Sequence, residues 1–231
     1  MKNLKTKAIG TVACIMALGL LTACGDDDSK KTDRQDAQLS VINASPGSDA
    51  YYFKVNGANV NDVPLAFSKS QPYKYLMPDN YEISVNKDGN SQVVTQTNLN
   101  LKSGEAFSVY LSDVLPKLNL VVIKDDLTVT HNKAKVRFVN MSSGNRKINL
   151  VISGQSQKLV NATAFKGFSL FNIITPAKEI SFELRDSQTD SLLATLPNAT
   201  IEAQKFYTLW GKDIITSAGV KQVGLGIIVN K

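Results

Sequence analysis

The sequence predicts an all-β protein: two tandem immunoglobulin-like β-sandwich domains that follow a signal peptide and a flexible tether. Two stretches of the chain repeat each other at an offset of 97 to 100 residues. Within each copy, apolar residues alternate with polar ones, which is the pattern of half-buried strands. After the leader, no long segment has the 3.6-residue apolar period of an amphipathic helix.

The repeat is clearest where small and polar residues coincide. A unit of nearly 100 residues is too long for a solenoid repeat, so the pattern indicates a duplicated domain. The offset grows from 97 to 100 along the unit, as expected of small insertions in loops, where extra length costs little. The matched pairs are Asn43 with Asn140, Ser45 with Ser142, Gly57 with Gly154 and, at an offset of 100, Asp113 with Asp213.

Turn signals separate the alternating runs, for example Ser45-Pro46-Gly47 and Pro78-Asp79-Asn80. Roughly seven strands in about 95 residues is typical of an immunoglobulin-like sandwich. The apolar runs 118–123 and 223–229 are expected to be closing strands buried between sheets, and Tyr73 and Tyr75 are expected in the core. The predicted organisation is a signal peptide at 1–23, a tether at 24–37, repeat 1 at 38–127, a linker at 128–133 and repeat 2 at 134–231.

The start of the chain has the anatomy of a secretory signal. Three lysines precede 14 nearly uncharged residues at 8–21, fewer than the roughly 18 that span a bilayer. The run Leu21-Thr22-Ala23-Cys24 resembles the lipobox of bacterial lipoproteins. That resemblance implies cleavage before Cys24 and lipidation of its thiol, which would anchor the protein in a membrane.

Three carboxylates follow the proposed anchor, at Asp26, Asp27 and Asp28. With Gly25 before them, they look similar to the acidic export signal of surface lipoproteins in the Bacteroidota. The resemblance implies an outer-membrane protein that faces the cell exterior. The alternative is that the carboxylates only solvate the tether and that the protein faces the periplasm. Because the polar stretch up to Gln38 has no apolar stripe, it is expected to be flexible.

Short motifs in the first repeat carry a family resemblance. The segments Val41-Ile42-Asn43-Ala44-Ser45-Pro46, Val55-Asn56-Gly57 and Lys124-Asp125-Asp126-Leu127 resemble domain of unknown function 4397. A second copy would begin with Lys135-Val136-Arg137-Phe138-Val139-Asn140. The resemblance implies secreted or lipid-anchored bacterial β-sandwiches, often in tandem, without an established activity.

Composition excludes several classes of protein. The formal net charge of +6 falls to about +3 once the three leader lysines are removed, and no lysine and arginine cluster follows a groove or helix pattern. A nucleic-acid partner is therefore not expected. Cys14 belongs to the leader and Cys24 to the anchor, so the folded part has no pair of cysteines for a disulfide. No cofactor motif is present.

The residues offer little for catalysis. His131 is the single histidine and lies in the linker, without the further ligands of a zinc site. The glutamates occur in patterns typical of solvated sheet faces, so we expect no enzyme. The oxygen-rich segment 186–191 could hold calcium, but a turn with Asx-type hydrogen bonds is the simpler expectation. The glutamates in question are Glu82, Glu105, Glu183 and Glu202.

A ligand face is the remaining candidate. If Phe107 and Tyr207 face the core, Tyr110 and Trp210 point away from it at equivalent positions, and Phe206 shares the face of Trp210. Exposed aromatic rings are platforms for sugars or partner proteins. The alternative is that these rings pack under a loop or at the interface between the two domains.

One motif suggests modification: Asp190-Ser191-Leu192 resembles the O-glycosylation motif of the Bacteroidota, with Ser191 as acceptor. The expected function is a lipid-anchored, non-catalytic binding or scaffolding protein of the cell envelope. The alternative is a glycan-binding accessory protein or a carbohydrate-processing enzyme at the outer membrane. The expected partners are a membrane, through Cys24, and a glycan or protein ligand, while the oligomeric state stays open.

Overall fold

The computed structural model describes residues 35–47, 49–215 and 221–231. The predicted signal peptide, Cys24 and the acidic residues Asp26, Asp27 and Asp28 lie outside these residues. The described part consists of β-strands, turns and loops, and none of its segments is a helix that could span a membrane.

Each repeat contributes eight strands. The strands of repeat 1 are β1 (Ala37–Asn43), β2 (Tyr51–Val55), β3 (Ala58–Asn59), β4 (Ser70–Leu76), β5 (Asp79–Lys87), β6 (Val93–Leu101), β7 (Ala106–Ser112) and β8 (Asn119–Asp125). The strands of repeat 2 are β9 (Ala134–Asn140), β10 (Ile148–Ile152), β11 (Lys158–Thr163), β12 (Asn172–Ile174), β13 (Ala177–Asp186), β14 (Leu192–Ile201), β15 (Phe206–Ile215) and β16 (Lys221–Val229).

Each repeat forms two four-stranded sheets. In repeat 1 the strand orders are β4-β1-β7-β8 and β3-β2-β5-β6, and in repeat 2 they are β12-β9-β15-β16 and β11-β10-β13-β14. The first strand of each repeat runs parallel to the seventh, and the other pairs are antiparallel. The predicted all-β fold with two tandem sandwiches is confirmed, with eight strands per repeat rather than about seven.

The duplication read from the sequence is visible in the hydrogen bonds. The Asn43 side chain donates to the Leu65 carbonyl at 2.8 Å, and the Asn140 side chain donates to the Thr163 carbonyl at 2.9 Å. In both repeats the asparagine oxygen also accepts the backbone N–H two residues later, at 3.0 Å. Both asparagines are fully buried. They occupy the same position and secure the end of the first strand in each repeat.

Each sandwich has its own apolar core. In repeat 1, the period-two residues Leu39, Val41 and Val109 face Phe53 and Ile83 of the opposite sheet, and all five are buried. Repeat 2 has the equivalent cluster between its own two sheets. Burying one such side chain stabilises the fold by about 1.5–3 kcal/mol, so the alternating pattern supplies the main driving force.

A third cluster joins the two repeats. Ile42 and Tyr110, on the outward face of sheet β4-β1-β7-β8, pack with Val139 and Trp210, on the outward face of sheet β12-β9-β15-β16. The four sheets therefore stack as four layers, with these two sheets in the middle. This stacking explains why every residue of β7 and β9 is buried.

The stacking also explains the apolar runs at 118–123 and 223–229. They lie largely in β8 and β16, which are edge strands of the two middle sheets. Leu120 and Val122 pack on the core of repeat 1, whereas Val121 and Ile123 pack between the repeats. Most residues of both strands are partly buried or exposed, so the prediction of strands fully buried between sheets was too strong.

The edge strand β4 corrects a second expectation. Tyr75 is 67% exposed, so it is not a core residue as predicted. Tyr73, two residues earlier, is partly buried and points towards the interface between the repeats, where its hydroxyl reaches Asp125 of β8. The predicted linker 128–133 falls in the connection between β8 and β9, which crosses from one repeat to the other.

Candidate functional site

The predicted ligand face of Tyr110, Phe206 and Trp210 is not a surface. These side chains are 0%, 1% and 2% exposed. They do point away from the core of their own repeat, as the alternation implied. Tyr110 and Trp210 pack in the cluster that joins the repeats, whereas Phe206 makes an edge contact with Phe171 of its own repeat, with centroids 5.7 Å apart. The Trp210 ring makes an edge contact with Phe67 of repeat 1, with centroids 6.4 Å apart. The exposed-face prediction was therefore wrong, and the packing alternative is correct.

A buried polar network continues this interface. The Arg137 guanidinium lies 2.5 Å from the Asp125 carboxylate of the other repeat, and both side chains are at most 2% exposed. Arg137 Nε donates to the Thr208 hydroxyl at 2.8 Å. Asp125 also accepts hydrogen bonds from Ser108 at 2.6 Å and from Tyr73 at 2.5 Å. Burial and the neighbouring Asp125 carboxylate raise the pKa of Tyr73, so this hydroxyl remains a donor.

This network is closed to solvent and its charges are paired, so it serves the interface rather than a ligand. Burial also raises the pKa of Tyr110 to about 12, which keeps its hydroxyl neutral beside Arg137 and Thr208 of the same network. A ligand site has to be sought where the strands end, because loops at the end of a rigid sandwich commonly carry binding residues.

Three adjoining cavities open at one end of the stacked sheets. The largest, about 800 Å³, lies at the end of repeat 2, between loop 141–147 and segment 186–193. A cleft of about 270 Å³ between the repeats shares Ser143, Asp213 and Lys221 with it. A third cavity of about 260 Å³ in repeat 1 shares Pro46 and Val114 with the cleft. We call these three adjoining cavities together the end groove.

Asp213 is the centre of the end groove. Its side chain is 2% exposed and accepts hydrogen bonds from Ser142 Oγ at 2.8 Å and from Ser143 Oγ at 2.7 Å. The Ser143 N–H contacts both carboxylate oxygens, at 3.1 and 3.2 Å, and Lys221 Nζ lies 3.3 Å away. The carboxylate thus fixes the start of loop 141–147 against β15 and uses its acceptor capacity within the protein.

Repeat 1 uses the matching residues differently. Pro46 stands where repeat 2 has Ser143 and offers no donor. Asp113, equivalent to Asp213, instead pairs with Lys166 of repeat 2 at 2.8 Å. The two ends are therefore not interchangeable: in repeat 1 the aspartate ties the repeats together, and in repeat 2 it shapes a cavity.

The far wall of the large cavity is the turn that follows β13. The Asp186 carboxylate accepts the backbone N–H groups of Gln188 at 2.8 Å and Thr189 at 3.1 Å, and Arg146 Nε lies 3.2 Å away. The backbone N–H groups of Thr189 and Gln188 lower the pKa of Asp186. The oxygen-rich segment 186–191 thus forms an Asx-type turn, which was the simpler of the two expectations. No group of metal-ligating side chains is found among the described residues.

The end groove lies opposite the point where the chain enters the sandwich. The Gln35 carbonyl accepts hydrogen bonds from Ser103 at 2.8 Å and from the Gly104 N–H at 3.2 Å, at the turn before β7. The groove is lined by residues that follow β7, such as Asp113 and Val114. At about 3.3 Å per residue, a seven-residue strand places the two ends about 20 Å apart.

The remaining candidate residues lie apart from the groove, except Ser191, which belongs to segment 186–193 beside the large cavity. His131 is exposed in the linker, as predicted. Glu105 pairs with Lys124 at 2.6 Å, and Glu183 pairs with Arg185 at 2.8 Å. Glu82 and Glu202 are exposed at other positions. Ser191, the candidate glycosylation acceptor, is exposed, and its hydroxyl lies 2.9 Å from that of Thr189.

Comparisons with known proteins bear on the family and the fold. Residues 37–151 match the model of a family described as "Domain of unknown function (DUF4397)". The match covers repeat 1 and continues into β10. The assignment of repeat 2 as a second copy therefore depends on the structural equivalence of the two repeats. No protein of curated function matches the sequence.

Several solved structures align over most of the chain at low similarity. A family-26 carbohydrate-binding module of Eubacterium rectale, in complex with maltoheptaose, is 10% identical, covers 84% of this chain and 96% of its own, and has a TM-score of 0.28. A family-41 carbohydrate-binding module from streptococcal virulence factors, described for alpha-glucan recognition, is 12% identical, with coverages of 75% and 92% and a TM-score of 0.21. A DUF3823 family protein from Bacteroides ovatus is 11% identical, with coverages of 72% and 96% and a TM-score of 0.20.

The sequence did not single out the end groove. Its residues come from loops between strands and from the ends of strands such as β15 and β16, where no apolar period marks them. The available signal was the pair of aspartates Asp113 and Asp213, which lie at an offset of 100. A second equivalent pair, Pro46 and Ser143, follows the first strand of each repeat. That signal marks equivalent positions and does not show that one of them borders a cavity.

Proposed function

Because residues 37–151 belong to the family described as domain of unknown function 4397, we propose a function from the geometry of this chain: it is a non-catalytic binding protein of the cell envelope whose ligand lies in the end groove. The observation that carries the proposal is the large cavity at the end of repeat 2, about 800 Å³ in volume. This volume is within the range of ligand-binding clefts in proteins. The ion pairs of Asp186 with Arg146 and of Asp213 with Lys221 hold its walls in place, together with the stacked sheets.

The proposed anchor complements this site. Lipidation of Cys24 would attach the tether at the Gln35 end of the sandwich, and the end groove opens at the opposite end. The ligand site of an anchored protein would then face away from the membrane. If Asp26, Asp27 and Asp28 direct export, that side is the cell exterior.

A carbohydrate-processing enzyme has less support. Asp186 and Asp213 are the acidic residues that line the large cavity, and both are held by protein donors. A glycan-binding accessory protein would be expected to present aromatic rings. Tyr51 is the aromatic residue among the described groove residues, and it is 2% exposed. These features favour binding without turnover and a surface other than a sugar platform.

Filling the cavity tests the proposed site. We expect Gln188→Trp to weaken ligand binding at least about tenfold, because the indole would occupy space beside Arg146 in the large cavity. The full chain, purified in mild detergent, would be assayed by calorimetry against panels of envelope polysaccharides and peptides, with product analysis for turnover. Gln96→Trp is the matched control, since Gln96 is exposed on β6, outside the groove. Equal binding by both variants, or turnover of any panel member, would contradict the proposal.

The anchor has a separate test. A single acyl chain binds membranes reversibly, so stable attachment requires the several chains that lipoprotein processing supplies. Cys24→Ala is expected to shift the protein from the membrane pellet to uncut precursor or soluble material in fractionated cells. Replacing Asp26, Asp27 and Asp28 with alanine is expected to keep membrane attachment. The variant is expected to resist protease shaving of whole cells, because it no longer faces the cell exterior. Membrane retention of processed Cys24→Ala protein would refute the anchor.

A further inference from the structure

We infer that the ligand of the end groove is an extended peptide segment that carries carboxylate side chains next to apolar ones. This inference rests on the proposed function and adds the chemical class of the ligand. It is carried by three properties of the described groove residues: which acceptors are used, which cations remain exposed and where the apolar side chains lie.

The acidic groups of the large cavity are already satisfied. Asp213 accepts hydrogen bonds from Ser142 and Ser143 and pairs with Lys221, and Asp186 accepts two backbone N–H groups beside Arg146. A carboxylate with this many donors gains little from a further cationic partner. The cavity is therefore poorly suited to a positively charged ligand.

The basic groups of the same cavity remain open to solvent. The side chains of Arg146 and Lys221 are 51% and 49% exposed while each contacts an aspartate, and Lys147 is also exposed. Each guanidinium or ammonium group has more donors than its one aspartate uses. The exposed amides of Asn145 and Gln188 add further hydrogen-bonding groups on the same rim. The rim thus presents positive charge and donors to a ligand with carboxylates.

Apolar side chains accompany these donors. Leu192, on the rim of the large cavity, is 55% exposed. Val114 and Leu115 line the smaller cavities and are 48% and 50% exposed. An extended peptide directs successive side chains to opposite sides, so one segment can meet donors and apolar residues in turn. A uronate-containing glycan would match the charge but would leave these aliphatic side chains without partners.

The probe is a fluorescein-labelled nonapeptide in which glutamate alternates with leucine, titrated with the full chain in mild detergent. We expect saturable binding by fluorescence anisotropy that weakens as salt rises from about 0.1 M to about 1 M, where the screening length falls to about 3 Å. The double variant Arg146→Glu with Lys147→Glu is expected to weaken binding at least about tenfold.

The matched control changes the same charges elsewhere in repeat 2. Lys158 and Lys178 are exposed at the opposite ends of their strands from the groove. Lys158→Glu with Lys178→Glu is expected to leave binding within about twofold, because these positions are beyond the screening length. Circular dichroism of both double variants establishes that the fold is retained.

Three results would overturn the inference. Equal binding by the groove and control variants would place the peptide elsewhere, and binding that is unchanged when glutamine replaces every glutamate of the probe would remove the role of charge. Polygalacturonate binding in the groove without binding of the peptide would assign the site to an anionic glycan. In that last case Gln188→Trp would still weaken binding of the polygalacturonate. The proposed function would then stand, and only the inferred class of ligand would be wrong.

Discussion

Trp210→Ala is expected to lower the free energy of unfolding by about 3–5 kcal/mol, because it removes a large side chain from a closed interface. Trp210 is 2% exposed and packs against Phe67 of the other repeat. A Cβ atom at Gly226 would lie 2.5 Å from Trp210 Nε1, which shows how closely β16 covers the ring. In a domain of this size the loss corresponds to a fall in melting temperature of about 10 °C.

Chemical denaturation of the full chain measures this loss. Trp210→Phe is the matched control: it keeps an aromatic ring in the interface and is expected to cost less than half as much. Binding to the end groove should survive in any fraction of Trp210→Ala that remains folded, since the ring does not line the groove. If Trp210→Ala left the free energy of unfolding unchanged but abolished ligand binding, the ligand site would be an exposed aromatic face around Trp210.

Removing one partner of the buried ion pair is expected to have an effect of similar size. Asp125→Ala leaves Arg137 charged, buried and unpaired, which costs about 3–5 kcal/mol. The neighbouring residue supplies the control, because Asp126 pairs with Lys135 while its own side chain is 64% exposed. Asp126→Ala is therefore expected to cost about 1 kcal/mol or less. Urea denaturation of both variants measures the difference.

A double variant separates pairing from packing. Asp125→Leu combined with Arg137→Met replaces the ion pair with apolar groups of similar size, and is expected to recover most of the stability lost in Asp125→Ala. Equal stabilities of Asp125→Ala and Asp126→Ala would show that the buried pair does not secure the interface. The fragments 38–127 and 134–231, which separate the two repeats at the predicted linker, would each expose one half of this pair and of the apolar cluster around Trp210.

The fold could be predicted because its determinants are local. The alternation around Phe53 and Val109 identifies the face of each strand that enters its own core, and Asn43 and Asn140 identify the repeat. These patterns depend on residues that are close in sequence, and they survive in both copies. The extra strand β3, with only two residues, is too short to leave a pattern.

The stacking of the repeats could not be predicted in the same way. Alternation shows that Tyr110 and Trp210 leave their own core, but it does not show whether water or another sheet lies beyond. Arg137 illustrates the limit: in a strand pattern a charged residue indicates the solvent face, whereas here its charge is neutralised by Asp125 from the other repeat. The signal that was present is the shortage of charged side chains in Ala106–Ser112, where every residue is buried.

The end groove depends on contacts that are distant in sequence. Ser143 and Asp213 are 70 residues apart and meet because β9 and β15 run side by side up to the pair Asn140 and Gly211, just before these two residues. Sequence patterns marked both residues as repeat equivalents but could not show the cavity that they border. The loop side chains Arg146 and Gln188 follow no period, so only the folded arrangement reveals them as neighbours.

Amide hydrogen exchange tests ligand binding at the end groove most directly. The full chain would be compared with and without a saturating concentration of the glutamate–leucine peptide. Slower exchange is expected in segments 141–148 and 186–193, which border the large cavity. No change is expected in 79–83 and 97–101, which pair with each other on the outer sheet of repeat 1 away from the groove. Protection confined to 79–83 and 97–101, or saturable binding without protection of either groove segment, would contradict the assignment of the end groove as the ligand site.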